Sequence, residues 1–197
     1  MQRYIVNSGV VLSLLCVLPA RLLAEEPSAW EMLPEASELK FEFQQLGDAE
    51  SGRFRRFTTT LRFEPNNLAA SRIDVQIQMG SVDTHDQERD AVLRSPDLFH
   101  VERWPVATFA AGKFRSLGGD HYQAEATLTI RDQQHKLPFP FSFTISRENK
   151  ALVGNLRSDI VVERLAYGVG QGDWLETDWV ANKVRVKVAI KVIKKAT

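Results

Sequence analysis

Five carboxylates crowd one short stretch of this sequence: Asp83, Asp86, Glu88, Asp90 and Asp97. Paired carboxylates can exchange protons as general acid and base, or gather oxygen ligands around calcium. Arg89 and Arg94 are interleaved with them, however, and several acids sit where the first turn of a helix favours negative charge. Capping by Thr84 or Asp86, together with surface ion pairing, accounts for these groups without catalysis. His85, His100, His121 and His135 are scattered, with no spacing that grips a metal, and read as solvated polar side chains. The stretch YGVGQGDW (167–174) spaces three glycines two apart. A phosphate-binding loop would join a strand to a helix at different intervals, so turn glycines supplying positive φ are the better reading. No serine lies in a Gly-x-Ser-x-Gly elbow, and the single cysteine, Cys16, lies in the first twenty-four residues. None of these patterns makes an enzyme.

The elements that carry these residues are almost all strands. From Leu39 onward apolar and polar residues alternate with a period of two, as in strands with one buried face. Eight such runs follow: Leu39–Gln44, Phe57–Phe63, Ile73–Met79, Ala107–Ala111, Tyr122–Ile130, Leu137–Ile145, a less regular run at 152–162, and Val184–Val192. Short turns join them, so an all-β, eight-stranded antiparallel meander is expected, closed as a barrel or folded as a sandwich. One segment breaks the rhythm. Between about 86 and 103 the positions of Arg89, Asp90, Val92, Leu93, Leu98, Phe99 and Trp104 suit a helix, a helical insert covering one end of the sheet. A barrel of eight strands is either filled by side chains or holds one small ligand. Small inward residues (Thr59, Ala107, Ala111, Ala124, Ala126) facing phenylalanines fit both outcomes.

The first residues form a unit of their own. Arg3, the apolar run VVLSLLCVLP (10–19) and Leu22-Leu23-Ala24 before Glu25 have the layout of a secretory signal, cleaved after about Ala24. A membrane anchor needs about twenty uncharged residues. Arg3 and Arg21 leave seventeen between them. Leu15 precedes Cys16 where a lipidated protein would carry a small residue. Residues 25–197 then form one domain of 173 residues, enough to bury roughly 70% of the extended-chain surface. Removing Arg3 and Arg21 leaves 23 basic against 25 acidic residues, with no basic excess for nucleic acid.

The stretch SVDTHDQERDAVLRSPDLFHVERWPVATF (81–109) resembles the hallmark segment of the YceI-like family of bacterial periplasmic proteins that bind polyisoprenoid lipids. It supplies Ser81 and Thr84, Arg89-Asp90 and Leu93, Leu98-Phe99, Trp104-Pro105 and Thr108-Phe109 in order. ATLTIRDQQHKLPFPF, and RLAYGVGQGDW followed by VRVKVAIKV, resemble later family stretches. Asp132 stands where the family usually has glycine, and FQQLGDAESGRFRRF lacks the histidine many members carry. These features look closest to the subgroup associated with b-type cytochromes that exchange electrons with quinones.

The resemblance implies an extended lipocalin-like barrel with a long apolar cavity, a periplasmic location, and a non-enzymatic binding or carrier role. The ligand would be an isoprenoid lipid or quinone, with no covalent cofactor. Phe41, Phe43, Phe57, Ile77, Phe109, Leu128, Phe141 and Phe143 would touch its chain, with Leu93 and Phe99 near the mouth. A second reading is a stress or redox accessory protein with a closed core that docks on a membrane cytochrome; a homodimer stays open under either. A third, an outer-membrane barrel, fits poorly with a closing strand faced by Lys183, Arg185, Lys187 and Lys191.

Overall fold

The computed structural model describes residues 29–195, so the signal expected at 1–24 lies outside the described residues. The chain order is β1 (Glu31–Met32), β2 (Glu38–Gln45), β3 (Asp48–Phe54), β4 (Phe57–Arg62), β5 (Arg72–Gln78), β6 (Val82–Asp83), α1 (Gln87–Arg94), β7 (Val106–Gly118), β8 (His121–Ile130), β9 (Gln133–Glu148), β10 (Ala151–Glu163) and β11 (Lys183–Lys195). Every strand joins one antiparallel sheet, ordered β4-β5-β7-β8-β9-β10-β11-β2-β3-β6, with β1 on β11. All eight expected strands form. Among the described residues the additions are β1, β3 and β6. Strand β3 escapes the period-two pattern because only Gly52 of DAESGRF is buried.

The sheet curls into a half-barrel, and the β1 segment links its edge strand β4 to β11. Trp30 bridges to Leu61 in β4 while Glu31 and Met32 pair with Ile193 and Val192 in β11. The indole of Trp30 also donates to the Phe63 carbonyl at 3.0 Å. Between β9 and β10 the ladder runs only from Ser142 to Glu148 on the β9 side. Pro138 and Pro140, paired on their other side with Glu125 and Gln123 of β8, fall where β9 has no β10 partner, so a missing N–H costs no ladder bond on that side.

The registers set two ends apart. At the upper end lie the β2–β3 turn, the β8–β9 turn, the β10–β11 loop and the insert that carries α1. At the lower end a cluster of rings fills the space. Phe63 is its hub, with edge contacts to Phe114 (5.5 Å), Tyr122 (4.9 Å), Phe141 (5.3 Å) and Phe143 (5.0 Å). Ala124 and Ala126 are buried here, giving the rings room.

The helix is shorter than its sequence rhythm suggests. It ends at Arg94 because Ser95 precedes Pro96 and adopts an extended backbone, and His100 then turns with φ of 48°. Leu98 is buried, but Val92 is exposed. Asp86 is the N-cap, accepting from the amides of Glu88 (2.9 Å) and Arg89 (3.0 Å).

Candidate functional site

Above the ring cluster the half-barrel is hollow. An apolar cavity of about 420 Å³ runs from this floor toward the upper end, within the range of small-molecule pockets. Of the ten residues expected to touch a ligand, eight line it: Phe41, Phe43, Phe57, Ile77, Leu93, Phe99, Phe109 and Leu128. Phe141 and Phe143 do not. They face inward as alternation requires, but sit lower, packed against Phe63 as part of the floor. Ring contacts pass from the wall to the floor: Phe109 meets Phe139 edge-on at 4.8 Å, and Phe139 stacks on Phe141 at 5.5 Å.

The walls are built by the two-residue period. Leu39, Phe41 and Phe43 of β2, Ile73, Val75 and Ile77 of β5, and Val184, Val186 and Val188 of β11 all point inward. Phe41 stacks on Phe43 at 6.0 Å and leans on Phe54 at 5.4 Å. Phe54 in turn meets Phe99 of the insert at 5.8 Å. Alternation in the sequence did not reveal Phe54, because β3 has no apolar rhythm.

The clustered acids hold the insert in place. Asp83 is buried and accepts from Arg53 and Arg55 at 2.8 Å each. The Arg55 hydrogen bond, aided by Arg53 and opposed by burial, holds its carboxyl well below the usual carboxylate range. Asp90 accepts from the Thr84 amide and hydroxyl, both at 2.8 Å, and meets Arg94 at 3.6 Å. Arg89 reaches across to Glu50 of β3 at 2.7 Å. Ser81 accepts from the Arg56 amide (3.0 Å) and donates to the Gln78 carbonyl (2.6 Å). The Ser81, Thr84, Arg89 and Asp90 motif is thus a fastening for α1 over the cavity. Asp86, Glu88 and Arg89 border the opening beside Val92 and Leu93.

The opposite rim is the β10–β11 loop. Gly168, Gly170 and Gly172 all have positive φ, as expected of turn glycines. Arg131 donates to the carbonyls of Leu98 (2.7 Å) and Gly168 (2.6 Å), and its guanidinium lies 4.6 Å from the Trp104 ring. One side chain therefore ties insert, β8–β9 turn and glycine loop together. Beneath the loop, Arg164 is buried and lines the cavity. Trp174 and Val180 complete that rim.

Residues 30–192, which include the insert and the strands that wall the cavity, match the YceI-like domain. The chain belongs to the YceI-like family. The YceI protein of Escherichia coli O157:H7 is 36% identical over 93 residues, which is 47% of this chain and 48% of that protein. A protein of Pectobacterium atrosepticum is 34% identical over 93 residues, with the same coverage. The chain spans about half the length of the curated relatives it matches. Solved structures share the fold: Burkholderia cenocepacia BcnA superposes with a TM-score of 0.75 at 23% identity, over 82% of this chain and 99% of that one. A polyisoprenoid binding domain from Saccharophagus degradans, implicated in plant cell wall breakdown, gives 0.65 at 15% identity over 86% and 99%.

Proposed function

We propose that this YceI-like protein is a periplasmic binding and carrier protein, without catalysis, for a long-chain isoprenoid lipid of polyprenyl or quinone type. The observation that carries the reading is the cavity itself, walled by aromatic and aliphatic side chains and bordered by polar groups at one end. Each buried CH₂ contributes about 0.8 kcal/mol, so a few isoprene units offset the cost of association. Such a wall grips any apolar chain of suitable length; selectivity comes from cavity depth and the polar rim. Eight of the residues proposed to contact ligand already line the wall. Likeness to the cytochrome-associated subgroup supports a further step, delivery of a quinone to a membrane cytochrome.

The experiment is gentle purification from the native periplasm, organic extraction and mass spectrometry. A stoichiometric isoprenoid is expected. A protein that emerges from its own periplasm without any bound lipid, and takes up no added isoprenoid, overturns the reading.

A further inference from the structure

Among the described residues that line the cavity, Arg164 is the one charged group that is buried. It is buried at 6% exposure, yet carries a permanent charge. Its Nε donates to the Ala181 carbonyl at 3.2 Å, Nη1 to Val169 at 2.9 Å and Nη2 to Val180 at 2.7 Å. A guanidinium has five N–H groups. Two are left, one on each terminal nitrogen, with no protein acceptor among the described residues. No carboxylate among the described residues forms an ion pair with it. Burial alone pushes its pKa down, and no acid raises it.

The three carbonyls need only donors, not a charge. Holding an uncompensated cation away from water costs stability. That cost falls when the ligand brings the counter-ion. Paired oxygens on a phosphate or carboxylate suit two N–H groups on adjacent nitrogens of one planar fork. Gly170 lets the loop close tightly on Arg164, because a Cβ there would collide with the guanidinium. Arg164 also stands at the rim end of the cavity, opposite the ring floor, so a head held there sends its tail down the apolar wall.

We propose that Arg164 anchors an anionic head, so that among single-chain amphiphiles the cavity favours those ending in phosphate or carboxylate over the matching neutral alcohols. This rests on the lipid-binding reading and narrows it.

The test titrates the full chain, stripped of lipid, with two matched pairs: farnesyl monophosphate against farnesol, and palmitate against hexadecanol. The anionic member of each pair is expected to bind on the order of ten- to a hundredfold tighter. Arg164→Gln should erase that difference, so that each anion binds no tighter than its matched alcohol. Because Arg164 also clamps the loop, Arg164→Lys serves where the glutamine variant fails to fold, and should shrink the preference. Equal affinities within both pairs in the unmodified protein overturn the proposal, as does an anion preference that survives in a folded Arg164→Gln. Anion preference confined to the palmitate pair, with no farnesyl compound bound, keeps the anchor and removes the isoprenoid reading. Binding of neither pair removes both.

Discussion

Replacing Phe63 by alanine should deepen the cavity, because this ring is the hub of its floor. Phe63 is 1% exposed and makes edge contacts with four other rings at 4.9 to 5.5 Å. Buried Phe→Ala changes cost about 3–5 kcal/mol, and each aromatic contact adds about 0.5–1.5 kcal/mol beyond burial, so the upper part of that range is expected. For a domain of this size about 4–5 kcal/mol lowers Tm by about 8–20 °C. Phe141 and Phe143, which pack on Phe63, lose their lower support, and the void joins the space above them. A longer tail can then enter. The assay is thermal melting with isoprenoid alcohols of increasing length. A ligand at a hundred times its Kd restores about 2.7 kcal/mol. The unmodified protein should show a length optimum, and Phe63→Ala should move it to longer chains. If the variant loses stability as expected but keeps the same optimum, Phe63 does not set the depth of the cavity.

Three further outcomes follow from the walls and the fastening. Leu93→Asp or Phe99→Asp places a carboxylate on the half-buried lining of the insert, and should lower lipid content about tenfold or more while the protein stays folded; unchanged lipid in extracts of a folded variant removes the insert from the binding site. Gly52→Ala sets a Cβ against the Phe41 ring and 2.9 Å from Thr84 Cγ2; an overpacking cost of about 1–3 kcal/mol and weaker ligand binding are expected by melting and titration, and a neutral change would mean that the ring shifts freely. Asp83 has a folded pKa below its unfolded value of about 3.9, so its contribution is complete above that value and is lost as pH falls toward the folded one. Asp83→Asn should therefore lower Tm at neutral pH and flatten the acid side of the stability profile; an acid limb identical to the unmodified protein's would take Asp83 out of it.

Alternation in the sequence told which face of each strand turns inward, and the structure bears this out in β2, β5, β7, β8, β9 and β11. It carries no information on height along the barrel axis. Phe139 and Phe141 sit two residues apart on one face of β9, yet the first lines the cavity and the second closes it. Height depends on the registers with β8 and β10, which join residues distant in sequence. The same limit explains the helix. Spacing placed Leu98, Phe99 and Trp104 on a helical face, but Pro96 ended the helix before them; irregular turns carry Leu98 and Phe99 to the cavity, while Trp104 packs against His100, Arg103 and Arg131 instead.

Arg164 was missed for a different physical reason. A search for chemistry in a sequence looks for groups that gather: acids in a run, histidines at a metal spacing, glycines at a phosphate interval. The groups that gather here, Asp83 to Asp90, spend their charges on one another and on backbone amides. A lone cation in ERLAYGVG has no such signature, because its surroundings come from residues 169 and 180–181 folding over it. Clustered charges neutralise each other and become structure. An isolated charge, once buried, has nothing in the protein to neutralise it, which is why the solitary arginine, and not the crowd of carboxylates, is where a ligand's own charge has work to do.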